Sequence, residues 1–268
     1  MNTEAVKANL ATWEAWTDSH FDGGLYDIDS FRAGRNTLNP LEIQEVGDVT
    51  GKSLLHLQCH FGLDTLSWER MGAKTTGVDF STKAITKAQG LASELDLSSR
   101  FICSSIYDLK DNLEGQFDIV FTSYGVLTWL PDLQPWAETI THFLKPGGLF
   151  YIAEFHPTMC MFDNRPGVQD WRLGWPYFNS GKPMIEVNTG SYANPESGIQ
   201  TASHEFPHPL SEVVQSLIDA GLKLQTFREH DFSCWQFNEL LSKSEDGYWR
   251  TADPEANIPL MYSISARK

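Results

Sequence analysis

Two short apolar segments constrain this chain more than anything else in it. Ser53-Leu54-Leu55-His56-Leu57-Gln58 reads as a buried strand opening onto the turn Cys59-His60-Phe61-Gly62. After a helix-length gap, Thr75-Thr76-Gly77-Val78-Asp79 reads as a second strand that closes on an acid and continues into Phe80-Ser81. Two buried strands with a helix between them form a βαβ unit, parallel and right-handed. The carboxyl ends of such strands border a crevice for a nucleotide-bearing ligand. Backbone N–H groups of the first turn can approach that ligand, and Asp79 is placed to accept hydrogen bonds from a ribose diol.

The turn limits which nucleotide fits. The dinucleotide fingerprint G-x-G-x-x-G needs three glycines so that a pyrophosphate can lie on the backbone. Here only Gly62 is present and His60 fills space near the turn, so a pyrophosphate fits poorly. The block Leu-His-Leu-Gln-Cys-His-Phe-Gly-Leu-Asp-Thr-Leu, residues 55–66, resembles the first motif of class I S-adenosylmethionine (SAM)-dependent methyltransferases, in the form found in one branch of small-molecule enzymes of mostly unassigned substrate. The usual loop of that family reads roughly D-x-G-x-G-x-G. His56, Gln58 and His60 stand where Asp, Gly and Gly are common, and Gly62 is retained.

The resemblance continues through residues 50–156. A third strand, Arg100 to Ser104, is followed by Ser105-Ile106, where the family often has an acid and a small residue against the adenine. Phe117 to Leu127 matches the fourth strand and its loop, and Leu144-Lys145-Pro146-Gly147-Gly148 precedes a fifth strand, Leu149 to Phe155. The resemblance implies SAM as methyl donor, with S-adenosylhomocysteine (SAH) as product. Its cofactor site would comprise His56, Gln58, Cys59, His60, Gly62, Asp79, Phe80, Ser105, Ile106, Ser123 and Tyr124.

A helix from about Leu210 to Ala220, then two alternating segments, Leu222 to Phe227 and Leu260 to Ser265, resemble the sixth and seventh strands of that family, the last antiparallel. The expected architecture is therefore α/β, one doubly wound, seven-stranded, mostly parallel sheet of the Rossmann-like methyltransferase type. Its parts are an N-terminal helical cap (1–45), a SAM-binding core (46–156), an insertion after the fifth strand (157–205) and a C-terminal helix with the last two strands (206–268). With 41% hydrophobic residues and no composition shift, a chain of this length builds one core and not two.

Charge narrows the substrate. Twenty Lys and Arg against thirty-five Asp and Glu give −15, and no basic cluster is present, so a small molecule is expected and a nucleic acid is not. No apolar run reaches transmembrane length and Met1 to Ala5 lacks signal-peptide character, so no membrane association and a cytoplasmic location are expected. Cys59, Cys103, Cys160 and Cys234 have no C-x-x-C spacing, which predicts reduced thiols and no metal site.

Two segments outside the shared core are expected to set specificity. The cap carries Trp13 and Trp16 on one helical face, Gly23-Gly24 beside Tyr26, and Asn39-Pro40, an N-cap with Pro at the first helical position. For each aromatic taken singly, pinning the helix to the sheet is as good a reason as touching a ligand. Residues 157–201 hold five prolines, five glycines and Trp171, Trp175, Tyr177, Phe178 and Tyr192. That much aromatic surface predicts an ordered segment, with a hairpin on 184–187 and 200–206, acting as a substrate lid.

Three rival readings have sequence support. His204-Glu205-Phe206-Pro207-His208 fits the zinc-hydrolase pattern H-E-x-x-H, but Pro207 and Pro209 oppose the helix that pattern needs. Asp79 would also serve an NAD(P) reductase, yet no tyrosine has a lysine four residues on for the short-chain reductase pair. A non-catalytic SAM sensor with an eroded glycine loop is compatible with every residue. Within the methyltransferase reading, Glu154 and His156 project to one face if the fifth strand continues, making His156 the candidate proton acceptor, Glu154 its partner and Tyr26 a third catalytic candidate from the cap. Pro157 could instead end the strand and turn His156 toward a loop carbonyl.

Overall fold

The computed structural model describes residues 3–165, 167–253, 255 and 257–268. The chain begins with α1 (Thr3–Asp22), α2 (Ile28–Arg32) and α3 (Pro40–Val46). It then alternates β1 (Ser53–Leu57), α4 (Leu63–Arg70), β2 (Lys74–Asp79), α5 (Thr82–Glu94), β3 (Arg100–Cys103), α6 (Leu109–Asn112), β4 (Phe117–Ser123), α7 (Gln134–Phe143) and β5 (Leu144–Phe155). After β5 come α8 (Pro157–Cys160), the hairpin β6 (Met184–Thr189) and β7 (Gln200–Glu205), and α9 (Leu210–Asp219). The chain ends with β8 (Lys223–His230), a short hairpin of β9 (Leu241–Lys243) and β10 (Trp249–Thr251), and β11 (Met261–Arg267).

Seven strands form the central sheet in the order β3-β2-β1-β4-β5-β11-β8, and β11 runs antiparallel to both neighbours. Successive residues of each central strand feed opposite faces. Leu55, Leu57, Val120, Phe150 and Ile152 enter one core, covered by α6, α7 and α9. Leu54, Ile119, Phe121, Tyr151 and Ala153 enter another, with Trp68 of α4. On α7, Trp136, Ile140 and Phe143 recur at helical spacing and are fully buried. Each large apolar side chain buried this way contributes roughly 1.5–3 kcal/mol relative to exposure. Replacing Ile140 by a charged residue would break this face.

The strand order reverses between β1 and β4, so their carboxyl ends diverge and leave a crevice. Over that crevice lies α1, tied to the β6/β7 hairpin. Asn9 donates from Nδ2 to the His204 carbonyl and accepts the His204 N–H on Oδ1, both at 2.8 Å, while Thr12 Oγ1 donates to the Ala202 carbonyl at 3.0 Å. The cap and the insertion are thus one assembly. Among the described residues no helix is long and apolar enough to cross a membrane.

The last two strands of the sheet run on to His230 and Arg267, beyond the sequence reading, and two further features differ from it. The fifth strand begins at Leu144 and runs through Pro146-Gly147-Gly148, because the Gly147 N–H donates to the Lys268 carbonyl and the Lys268 N–H to the Gly148 carbonyl, which extends pairing with the chain end. The β9/β10 hairpin was not expected, since three-residue strands are too short for alternation to register.

Candidate active site

A cavity of about 650 Å³ opens beyond the carboxyl ends of β1, β2 and β4, beneath the cap. Its floor is the β1–α4 turn. Gly62 is the N-cap of α4 with φ +81°, and a Cβ there would sit 2.5 Å from the Phe101 ring, so both backbone and packing require glycine. Gln58 and His60 have φ of +56° and +52°. This explains why glycine is common at these positions in the resembling family: the turn uses left-handed backbone, and here two bulky residues adopt it at roughly 1–3 kcal/mol each.

Those two side chains also carry unpaired polar atoms. Gln58 Nε2 donates to the Val126 carbonyl at 2.9 Å, which leaves Oε1 buried without a partner, and His60 Nε2 is likewise buried and unpartnered. At the wall of a cavity such atoms are free to bond a ligand that enters it. Burial holds His60 well below the usual histidine range, with the neighbouring His20 adding to the effect, so its ring is neutral.

Asp79 ends β2. Its Oδ2 accepts the His60 N–H and its Oδ1 the Ser81 N–H, each at 2.9 Å, which fixes the carboxylate and leaves further lone pairs toward the cavity. Burial pushes its pKa up to about 6, against those backbone hydrogen bonds. Phe80, Ser105 and Ile106 border the same cavity at the ends of β2 and β3. A buried carboxylate for a ribose diol, an unpaired amide oxygen and apolar walls fit the adenosyl and amino-acid parts of SAM. The acidic lining, which also includes Asp64, suits a ligand bearing a sulfonium and an ammonium.

Other residues read from the sequence have structural partners at the rim. His56 is neutral, pushed down to about 3 by burial, with Nδ1 2.8 Å from Thr65 Oγ1. Cys59 is buried, its thiol raised by burial, and its Sγ would lie 2.9 Å from a Cβ at Gly77. Ser123 borders the cavity beside Tyr124, whose hydroxyl donates to the fully buried Glu42. Tyr26 also borders it, and its hydroxyl bonds to that of Tyr192, joining cap to insertion.

His156 is placed differently from the sequence expectation. Pro157 ends the strand, and His156 becomes the N-cap of α8, with Nδ1 accepting the Thr158 N–H at 3.1 Å and Nε2 2.9 Å from Glu229 Oε1. Both ring nitrogens are engaged and the side chain does not border the cavity. Glu154 is not its partner either. The Glu154 carboxylate accepts backbone N–H groups of Gly125, Val126 and Leu127 and so shapes the loop after β4. Of the H-E-x-x-H segment, His204 and Glu205 lie on β7, while His208 precedes α9 and donates from Nε2 to the Leu130 carbonyl at 2.7 Å. No helix joins the two histidines.

Sequence reasoning missed Arg35, Asp64, Glu205, Trp235 and Phe237, all of which border the cavity. Asp64 had a signal, an acid in the first turn of a helix that follows Gly62. The aromatic run Phe232 to Phe237 was another. Glu205 was read only as part of a zinc motif.

A seven-stranded sheet in this order, with an acidic β2 end and a covered cavity at the switch point, defines a methyltransferase-type nucleoside site. Comparison with known proteins agrees. A model described as a methyltransferase domain matches residues 55–152. Ubiquinone biosynthesis O-methyltransferase of Xanthomonas oryzae pv. oryzae is 27% identical over 166 residues, 60% of this chain and 68% of that protein. The Alkalilimnicola ehrlichii protein of the same name is 30% identical over 165 residues, 59% and 62%. In fold the chain is similar to SAM-dependent methyltransferases of Mesorhizobium loti (TM-score 0.59, 18% identity, 88% of this chain and 100% of that one) and Listeria monocytogenes (0.58, 18%, 85% and 95%). Residues 55–152 thus match a methyltransferase domain, and the chain has the fold of the SAM-dependent methyltransferases, the activity for which SAM is the cofactor.

Proposed function

We propose that this enzyme methylates a small molecule held between the strand ends and the cap. The single observation that carries the reading is the covered cavity itself, floored by the β1–α4 turn and Asp79 and roofed by α1 and the insertion, which bond to each other. Such a roof suits a compact acceptor and not a polymer, and the formal charge of −15 opposes a polyanion. The names of the O-methyltransferases similar to this chain support the same substrate scale.

When bound, SAM supplies a methyl group already activated by its sulfonium. The protein's own work is binding, alignment and exclusion of water. Asp79 is assigned the ribose hydroxyls, Phe80 and Ile106 the adenine faces, Ser105 an adenine hydrogen bond, and Gln58 Oε1 the ammonium of the amino-acid part. Tyr26, with Tyr192, closes the cavity at the cap. His156 has no role in proton transfer in this scheme.

A metabolite panel of phenols, amines and thiols incubated with enzyme and SAM tests this, with SAH release and the mass of the methylated product as readouts. Turnover of a small molecule is expected. Tight SAH binding with no turnover across the panel would favour the sensor reading instead.

A further inference from the structure

A second cavity, of about 220 Å³, adjoins the first, sharing Gly125, Thr128, Phe155, Asn164, Glu205 and Phe237 with it. Its outer walls include Trp175, Tyr177 and Met184 of the insertion and Phe206 just after it. An apolar cavity of about 150 Å³ holds a benzene ring, so this one has room for a ring-bearing fragment. It lies where a molecule placed beside the cofactor would extend.

Glu205 stands at the junction. Its side chain is half-buried, and its carboxylate accepts from Ser203 Oγ at 3.0 Å and faces Thr128 Oγ1 at 3.5 Å. Among the described residues no Lys or Arg is within ion-pair distance of it, and none lines the side cavity. Burial raises its pKa, and the charge of Glu186 adds to the rise. Glu186 pairs with Ser203 across the hairpin, two residues from Glu205, so both acids share one hairpin face. The other ionisable groups here are accounted for. Glu154 is taken by four backbone N–H groups, those of Gly125, Val126, Leu127 and Phe155, and His208 by the Leu130 carbonyl and Glu212. Cys160 is exposed on one side, while desolvation of its thiol and then Glu154 and Glu205 raise its pKa and keep it neutral, and exposed Arg165 acts on Glu186 from outside while bonded to Asp163.

We propose that the side cavity is the acceptor pocket and that Glu205 is the specificity-determining residue, accepting a hydrogen bond from an O–H or N–H group on a ring-bearing acceptor and rejecting an anionic one. The inference rests on the methyltransferase reading and deepens it by naming the acceptor class. Two carboxylates on one wall, with no basic residue lining it, would repel a carboxylate or phosphate ligand. A neutral or cationic donor adds to the two hydroxyls that Glu205 has in place of a basic partner, and the aromatic walls take the ring.

Three probes of similar shape and different charge test this by calorimetry: 4-ethylphenol, 2-phenylethylamine and 3-phenylpropionate. SAH is titrated first, because its binding tests the reading beneath the proposal. Its failure to bind would overturn that reading and the proposal with it. With SAH bound, the phenol and the amine should bind the wild-type protein saturably, and the carboxylate at least tenfold more weakly. Glu205→Gln should remove most of that discrimination, and Met184→Trp, which fills the side cavity from the paired strand, should abolish binding of all three. Both variants should keep SAH affinity within threefold, which shows that they are folded. Bound SAH without binding of either the phenol or the amine, equal binding of the carboxylate, unchanged discrimination in Glu205→Gln, or normal probe binding in Met184→Trp would each overturn the proposal.

Discussion

At the scale of single residues, the site is built from groups held where they are uncomfortable. Gln58 and His60 take left-handed backbone without being glycine, and Asp79 is an acid in a buried place. A ligand that supplies hydrogen-bond donors relieves the last of these. Asp79→Ala should therefore weaken SAH binding by about 1.5–3 kcal/mol, the range for hydrogen bonds to a charged group, with the fold retained. The raised pKa gives this residue a signature in pH. The ligand-free carboxyl is protonated below about 6, and hydrogen bonds from ribose hydroxyls favour the ionised form. Binding must then release a proton at low pH, so affinity should fall roughly tenfold per pH unit below that value and level off above it. Calorimetric titration from pH 5 to 8 checks this. A wild-type affinity flat across that range, or a slope that persists in Asp79→Ala, would assign the ribose to another residue. In the sequence Asp79 was legible because it closes an apolar run. Strain at Gln58 and His60 was not, since their identities alone do not state a φ angle.

At the scale of elements, the insertion is fastened by a side chain acting as a strand. Asn9 of α1 both donates to and accepts from the His204 backbone, filling the edge of β7 that would otherwise present unpaired groups. His20 Nε2, 2.9 Å from Ser191 Oγ, adds a second tie. The hairpin strands themselves could be read from alternation, but the tie could not, because Asn9 and His204 are 195 positions apart and no local pattern links them. His156 illustrates the opposite failure. Two-residue spacing from Glu154 put both on one strand face, and the local chemistry of His-Pro at a helix start prevailed. If cap and insertion form one cover over an independent cofactor floor, removing part of the insertion should separate binding from turnover. Deleting a central part of residues 163–182 should keep SAH affinity within about 1 kcal/mol, the scale of a hydrogen bond or two, and abolish turnover of any acceptor the panel yields. Loss of SAH binding in a variant with native circular dichroism would make the insertion part of the cofactor site.

At the scale of the whole molecule, the sheet was the most legible part of the chain and the cavity the least. Strands such as β1 and β4 are buried on both faces and show as continuous apolar runs, whereas Trp235, Phe237 and Arg35 reach the cavity from segments without periodicity. Strand order followed from the resemblance, since local patterns specify elements and not neighbours. The shape of the crevice nonetheless discriminates between cofactors, and that discrimination can be read as a global property, thermal stability. A ligand at about one hundred times its dissociation constant stabilises by roughly 2.7 kcal/mol. For a domain near this size 1 kcal/mol shifts the melting temperature by about 2–4 °C, so saturating SAH should raise it by about 5–10 °C. NAD(H) and NADP(H) should leave it unchanged, because a pyrophosphate needs bare backbone where Gln58 and His60 place side chains beside a single Gly62. A thermal scan with each ligand in parallel reads both halves of the statement, and stabilisation by a nicotinamide cofactor without stabilisation by SAH would refute it.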